Sequence, residues 1–494
     1  MMIEINGKNA IISVSNKEKT DILAKRLIEE GYRIFATRGT ADYLRKFSLE
    51  IHDVEEISRV PEILGGRVKT LSSYLLGGVL AKDRNDPDIK KFGIVPIDLV
   101  YVEPYPFIER YLEGKTDLVE DIDIGGITLL RAAAKNFSRV VVIPGSGYID
   151  EILENMKEGE ISLELRRKLA SITFRMTSLY DYMISEWFGS GNDIFITGGK
   201  KFVDLRYGEN PHQKSFAYNL YKPFFEMLRE GKEISYNNIM DAWAAWELSL
   251  RLGENSAVVV KHGSPCGASV GTNSLQMAHE SDPVSAYGGV YAINGSVGVE
   301  EAKFLKDKYL EVLIAKEYDE NALEILSKKK NLRILKGNQD VYRIPDMKTA
   351  GNIILTQEWN RRSGNIFEII LGGVDDATRR NLEFGWEVIK SIKSNAIVAV
   401  DGMRVISSSG GQPNRVDSVK FCLERAMKGG KITEKTILIS DGFFPFKDSM
   451  ELIHEYGINI VAAPLGSIRD EEVIEYAKKK GMVFVKVNER AFKH

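Results

Sequence analysis

Lys261 and His262 follow Ala257-Val258-Val259-Val260, a run apolar enough for a buried strand, and precede Gly263-Ser264-Pro265-Cys266-Gly267. A strand that delivers an ammonium and an imidazole to its C-terminal end puts them where α/β sheets place ligands. A neutral imidazole takes a proton from an amine as that amine attacks, and an ammonium beside it stabilises charge on a carbonyl oxygen. Taken alone, the pair also fits a structural histidine beside a surface lysine. Three further clusters accompany it. Arg206-Tyr207-Gly208-Glu209-Asn210-Pro211-His212-Gln213 offers a guanidinium fork for phosphate on irregular backbone, and equally fits a solvated turn. Lys393-Ser394-Asn395 with Gly410-Gly411-Gln412-Pro413-Asn414-Arg415 supplies paired donors and acceptors suited to a carboxamide or a pterin edge, or makes two polar turns. Ser440-Asp441-Gly442-Phe443-Phe444-Pro445-Phe446, with Ala463-Pro464 downstream, reads as a wall for a flat ring system or as a core aromatic cluster.

A second group of such residues lies near the start of the chain. Ser13-Val14-Ser15-Asn16-Lys17 and Thr37-Arg38-Gly39-Thr40 each follow a short apolar run. Hydroxyls and a lysine at a strand-to-helix junction suit phosphate, because free amides at the helix start add positive potential. Serine there is also an ordinary helix cap. Gly65-Gly66-Arg67-Val68-Lys69-Thr70 is a compact loop of glycine and cations, and Asp123-Ile124-Gly125-Gly126 precedes a helix that carries Lys135.

Hydrophobic periodicity sets the elements that must position these groups. Strands are expected at 10–15, 32–36, 98–102 and 139–144, with helices from 17 to 30, from about Thr40, and at 127–136. This βαβα order implies a mostly parallel sheet with helices on both faces. A long helix at 163–188 follows, and Gly189-Ser190-Gly191-Asn192 breaks the pattern. Beyond it one layout recurs. The first copy has a helix at 241–252, a strand at 257–260, a Gly/Pro-rich loop, a strand after Gly288-Gly289, a strand at 311–315 and a helix at 321–329. The second has a helix at 376–391, a strand at 396–400, a loop at 407–414, a helix at 418–427, strands at 436–439 and 458–462, and a final helix. The expected fold class is therefore α/β, with domains at 1–190, 200–365 and 366–494. The 494 residues are 44% hydrophobic and 28% charged, which suits globular domains, and the net charge of −3 gives no global field for nucleic acid or anionic lipid. Two cysteines, Cys266 and Cys422, exclude a disulfide framework and a four-cysteine zinc site. Met1 to Thr20 has no signal-peptide core and no run of about 18 uncharged apolar residues occurs, so a cytoplasmic setting without membrane is expected.

In order along the chain, LRYGENPHQ, VVKHGSPCGA, SDPVSAYGG, KSNA, GGQPNR, SDGFFPF and AAPLGS resemble the bifunctional AICAR transformylase/IMP cyclohydrolase family of purine synthesis, over about residues 205–467. Arg490-Ala491-Phe492-Lys493-His494 is similar to the family's ending. GGRVKTL and DIDIGGITLLRAAAKN resemble its cyclohydrolase domain over about residues 10–145. The resemblance implies a methylglyoxal-synthase-like parallel sheet domain and a duplicated cytidine-deaminase-like α/β transformylase region without the deaminase zinc. It implies formyl transfer from 10-formyltetrahydrofolate to the 5-amino group of AICAR, then dehydrative closure to inosine monophosphate. It implies small-molecule nucleotide and folate partners, no catalytic metal, no nucleic acid, and a homodimer with transformylase sites at the interface. His262 becomes the proton acceptor and Lys261 the group that stabilises charge or protonates the folate nitrogen. Arg206, Tyr207, Gly267, Arg415, Asp448 and Arg490 become nucleotide-site residues, while Asn395, Phe443, Phe444, Pro445, Phe446 and Pro464 become folate-site residues. In the cyclohydrolase domain Lys69 is assigned to oxyanion stabilisation, and Tyr105, Asp123 and Lys135 to proton handling. Ser13, Ser15, Lys17, Thr37, Gly39, Thr40, Arg67 and Thr70 hold the nucleotide and its phosphate.

The sequence departs from the family pattern at three places: Arg38 where a second glycine is usual, Ser72-Ser73 where His-Pro is usual, and Glu103 where asparagine is usual. Two other readings fit the same residues. One is a monofunctional transformylase with a degenerate nucleotide-binding first domain. The other is a non-enzymatic nucleotide-binding regulator, against which the presence of both Lys261 and His262 argues.

Overall fold

In a computed structural model of the chain, residues 7–157, 159–189, 194–361 and 366–494 are described. The chain divides into two compact units, with the break between Gly199 and Lys200. The expected break at Gly189 begins where the helix Leu163–Phe188 ends, at a glycine with φ +94°; Ser190 to Asn192 lie outside the described residues.

The first unit is built on a five-stranded sheet. Its order is Ile51–Asp53, Tyr32–Ala36, Lys8–Val14, Leu99–Glu103, Val141–Ile143, and each pairing is parallel. The central strands are buried on both faces, which is why they read as unbroken apolar runs. From Lys8–Val14 the chain winds outward to one edge. It then returns to the other side of the same strand at Leu99–Glu103. That reversal opens a crevice at the C-terminal ends of these two strands, where doubly wound sheets bind ligands.

The second unit is built on a twelve-stranded sheet whose halves repeat one plan. A helix, Tyr236–Leu252 or Asp376–Ile389, leads into a hairpin. The hairpin is Ser256–Lys261 with Ser264–Val270 in the first half, and Ile397–Asp401 with Arg404–Ser409 in the second. Its first strand pairs antiparallel with Gly289–Val297 or Ile437–Ser440. Two parallel pairings follow, through Leu310–Tyr318 to Arg333–Gly337 and through Ile460–Pro464 to Val483–Val487. An antiparallel strand, Phe225–Arg229 or Phe367–Leu371, closes each edge. The halves join through the antiparallel strands Ser264–Val270 and Arg404–Ser409. The repeat read from periodicity is thus present, with six strands in each half where three were expected, and strands from the segments 200–365 and 366–494 share one sheet.

Several elements differ from expectation. Ser264–Val270 is a strand and not a loop. Gly267 sits there because the helix Ser274–Ser281 crosses close behind it, and a Cβ would lie 1.9 Å from the Ala278 carbonyl. The glycine marks close backbone approach, not a turn. Arg404–Ser409 likewise occupies part of the expected loop at 407–414. The helix expected from 241 begins at Tyr236, where Ser235 and Asn238 form a capping box. The last helix, Asp470–Lys479, is followed by the strand Val483–Val487, short enough to be missed as an element. Exposed hairpins at Lys200–Leu205 with Ser215–Asn219, and at Asp346–Ala350 with Ile353–Gln357, were not anticipated. Among the described residues no helix is long and apolar enough to cross a membrane.

Candidate active sites

In the first unit the crevice gathers two sets of groups. On one side Ser13 Oγ lies 3.1 Å from Thr37 Oγ1, and Lys17 Nζ donates to Thr40 Oγ1 at 3.1 Å and to the Val14 carbonyl. Ser15 Oγ donates to the Pro104 carbonyl at 2.6 Å, and the Ser15 amide to the Glu103 carbonyl, which ties this loop to the end of the neighbouring strand. Burial pulls the Lys17 ammonium below its ordinary range, with the Glu103 carboxylate opposing. Helix Arg38–Arg45 starts here, Thr37 makes no side-chain cap, and nothing lies within 4 Å of a Cβ built on Gly39. The first amides of that helix are therefore available to an anion.

On the other side Lys69, Tyr105 and Asp123 converge. Lys69 Nζ is 3.3 Å from Glu62 Oε1. Burial disfavours its charge, but interactions with Tyr105 and Glu62 outweigh that and hold Lys69 above its ordinary range. Burial pushes the Asp123 carboxyl up, against hydrogen bonds from the Gly126 and Tyr105 amides and the charge of Lys69. Asp123 Oδ1 accepts the Gly126 amide at 2.7 Å, and Tyr180 Oη accepts the Asp123 amide at 2.8 Å. Gly125 and Gly126 let these side chains come close: a Cβ would lie 2.4 Å from Thr70 Oγ1 and 2.5 Å from Asp123 Oδ2, respectively, and would displace them. An ammonium, a phenol and a carboxyl held toward its neutral form make a set that can stabilise an oxyanion and relay a proton.

In the second unit Lys261 and His262 line a hollow of about 480 Å³, with Ser264, Cys266, Tyr287, Gln412 and Arg425 among its other walls. Because the two hairpins meet antiparallel, the far end of the second hairpin and the loop Gly410–Gln412 face the turn of the first. That turn holds two residues, His262 at φ +53° and Gly263 at φ +72°, between the paired Lys261 and Ser264. Positive φ at both central residues is the type I′ hairpin, whose twist suits the strands but disfavours a side chain at the first corner. Lys261 Nζ donates to the Gly288 carbonyl at 2.6 Å. Burial pushes the Cys266 thiol up to about 12, so this wall residue is no nucleophile near neutral pH. Arg206 stands over the ring of Tyr207 at 5.2 Å. Burial pulls the Arg333 guanidinium below its ordinary range, with the charge of Glu311 opposing and that of Arg206 adding to the effect.

A third cluster adjoins the hollow through Gln412. Asn395 Nδ2 donates to the Gln412 carbonyl at 3.0 Å, and Asn395 Oδ1 accepts from Arg415 Nη2 at 2.9 Å. Arg415 also donates to Ser440 Oγ and pairs with Asp441, which is fully buried. Arg490 lies over Phe443 at 5.6 Å and over Phe492 at 5.8 Å. Removing one member of a buried ion pair strands the other charge. Asp441→Ala is accordingly expected to cost about 3–5 kcal/mol of stability, read from denaturant midpoints. An unchanged midpoint would show that the pair does not hold this cluster.

The AICARFT/IMPCHase bienzyme family pattern matches residues 133–425, and an MGS-like domain pattern matches residues 21–128. A bifunctional purine biosynthesis protein PurH of Aquifex aeolicus (strain VF5) is 40% identical, over 98% of this chain and 100% of its own. The chain belongs to the AICARFT/IMPCHase bienzyme family. The PurH of Petrotoga mobilis (strain DSM 10674 / SJ95) is 39% identical, over 99% of each chain. A solved chain described as the crystal structure of ForH is 33% identical over 37% of this chain and 97% of its own, with a TM-score of 0.34. The enzyme is an AICAR transformylase and IMP cyclohydrolase of purine synthesis, α/β throughout, with the MGS-like parallel sheet first and the larger mixed sheet second.

Against the family pattern, each departure has a local account. Arg38 is an exposed first helical residue and leaves the neighbouring Gly39 open. Ser72 caps the helix Ser73–Leu80 by accepting the Tyr74 amide, and donates to the Ser58 carbonyl at 2.6 Å. Burial pushes the Glu103 carboxyl up, toward the neutral form that resembles an amide, and the Ser146 amide and Tyr101 hydroxyl oppose this.

Not every expected site residue is brought to its cluster. Lys135 ends the helix that begins just after Asp123, about 16 Å of helical rise away, and lines a separate hollow with Arg131, Arg167 and Phe174. Arg67 pairs on the surface with Glu120. Gly267 is buried within its strand, against the helix Ser274–Ser281. Phe444 is 2% exposed and belongs to the core of the second half, so it is no wall of an open site. Pro464 is buried as the last residue of its strand. Phe446 is exposed beneath Arg469, and Asp448 is exposed at a helix start, accepting the Ser449 amide. Sequence reasoning missed Asp241, whose Oδ1 accepts the Gly263 amide at 2.6 Å, and Asp441 as the partner of Arg415. Spacing gave no signal for either, because each contact joins elements more than 20 residues apart.

Proposed function

We propose that the hollow beside Lys261 and His262 is the formyl-transfer site, with the 5-amino group of AICAR and 10-formyltetrahydrofolate as its substrates. The carrying observation is that both side chains line one hollow together with Ser408, Ser409, Gly410 and Gln412 of the second half. The amine is conjugated into the imidazole and its carboxamide, so it attacks only as a proton leaves. His262 takes that proton while the new C–N bond forms at the formyl carbon. Lys261 stabilises the oxyanion and protonates the folate nitrogen as its bond to the formyl carbon breaks. Arg206, Tyr207, Arg415 and Arg490 bind nucleotide, and Asn395, Phe443 and Pro445 face the folate.

Ring closure belongs to the crevice of the first unit. The carboxamide nitrogen attacks the formyl carbon and water departs. Lys69 stabilises the oxyanion, and Tyr105 and Asp123 move the protons. Ser13, Ser15, Lys17, Thr37, Gly39, Thr40 and Thr70 hold the phosphate and ribose side. No step as written uses a metal. The reading includes a homodimer in the cytoplasm. The consecutive Ile353, Ile354 and Leu355, each more than half exposed on the hairpin, favour burial against a second copy.

The test is a folate-dependent assay with the aminoimidazole nucleotide, following formylated product and inosine monophosphate separately. Both products are expected. Formylated product without inosine monophosphate above the uncatalysed rate would leave a monofunctional transformylase, and neither product would leave a binding protein.

A further inference from the structure

The two halves of the large sheet contain the same turn twice, and only one copy carries chemistry. In the first half the type I′ corner is His262-Gly263, between Lys261 and Ser264. In the second it is Gly402-Met403, between Asp401 and Arg404, at φ +59° and +60°. Each turn is tied down by the sixth residue of the preceding helix. Asp241 Oδ1 accepts the Gly263 amide at 2.6 Å across 22 residues. Asn381 Oδ1 accepts the Met403 amide at 2.6 Å, also across 22 residues. The correspondence extends to helix position, sequence separation, acceptor atom and distance.

This repeat separates architecture from chemistry inside one molecule. Asn381 shows that a neutral amide oxygen is sufficient to hold the hairpin. A carboxylate in the same position therefore has no architectural purpose that asparagine would not serve. It is also disfavoured by burial, which pushes the Asp241 carboxyl up, and the Gly263 and His262 amides and the charge of Lys261 oppose this. Aspartate stands at the one turn that carries a histidine and a lysine, and asparagine stands where the turn carries glycine and methionine.

We infer that Asp241 is a positioning residue for formyl transfer, its carboxylate fixing the Lys261–His262 turn and stabilising the imidazolium that forms when His262 accepts the amine proton. This rests on the assignment of His262 as proton acceptor. As the proton moves, positive charge grows on the imidazole beside a cation, and a fixed carboxylate offsets that growth in the transition state more than in the ground state.

The test compares Asp241→Asn, Asp241→Glu and His262→Ala in the full-length enzyme. Asp241→Asn keeps the hydrogen bond and removes the charge. Its melting temperature is expected to stay near wild type, with kcat for formyl transfer down at least about tenfold and KM for both substrates within about twofold. Asp241→Glu, which restores a charge with poorer reach, is expected to exceed Asp241→Asn in kcat even where it is less stable. Wild-type kcat in Asp241→Asn, a change in KM alone, or Asp241→Glu no better than Asp241→Asn would overturn the inference. Undiminished turnover in His262→Ala would instead remove the assignment on which it rests.

Discussion

Replacing His262 with alanine is expected to lower kcat for formyl transfer by about 10²–10⁴-fold, while ring closure of supplied formylated intermediate proceeds at the wild-type rate. The size follows from the chemistry: without a base, the conjugated amine must attack while still holding its proton. The split between activities follows from place, because His262 belongs to the second unit and Lys69, Tyr105 and Asp123 to the first. The turn supplies its own control for folding. His262 occupies a left-handed corner at φ +53° that glycine takes without strain, and Gly402 takes it in the second half. His262→Gly should therefore be at least as inactive as His262→Ala and more stable than it, by about 1 kcal/mol. Kinetics with AICAR and 10-formyltetrahydrofolate, with chemical denaturation of both variants, check this. Turnover within a few-fold of wild type in either variant would refute the role of His262.

Asp123→Asn is expected to reduce ring closure by about 10²–10⁴-fold and leave formyl transfer intact. The amide keeps an oxygen for the Gly126 amide but cannot exchange a proton with Tyr105 and Lys69. The stability effect has a definite sign. Burial raises the Asp123 carboxyl above its ordinary value in the folded state, so its contribution to stability is full in acid. That contribution is lost as pH rises through the folded value. Asparagine has no such loss, so the variant should gain melting temperature relative to wild type as pH rises from acid toward neutral. A variant that loses melting temperature relative to wild type as pH rises would contradict the burial argument. Unaltered formation of inosine monophosphate would remove Asp123 from the proton network.

The contrast between Lys261-His262 and Asp241 shows how far a sequence reaches. An apolar run ending in a lysine and a histidine announces a strand and what it presents, because burial on both faces imposes hydrophobic continuity and local spacing imposes adjacency. The α/β class, the doubling of the second region, the helix start after Thr37 and the order of the motifs were legible for the same reason. Pro265 and Gly267 were misread as loop because glycine carries one letter for two different needs, a positive φ and the close passage of a neighbouring backbone. Phe444 was misread because an aromatic residue in a loop after a strand is written identically whether it turns to the core or to the ligand.

By itself, then, the sequence determined which elements form and which reactive side chains sit at their ends, since helix and strand periods are local properties of the chain. Only the tertiary structure decided which ends meet. It brought Asp241 under a turn 22 residues away and Asp441 against Arg415. It set Gln412 opposite His262 through the joined hairpins. It left Lys135 at the far end of its helix from Asp123. Such meetings depend on sheet order and strand direction, which are set by the packing of the whole unit and by no single segment of it.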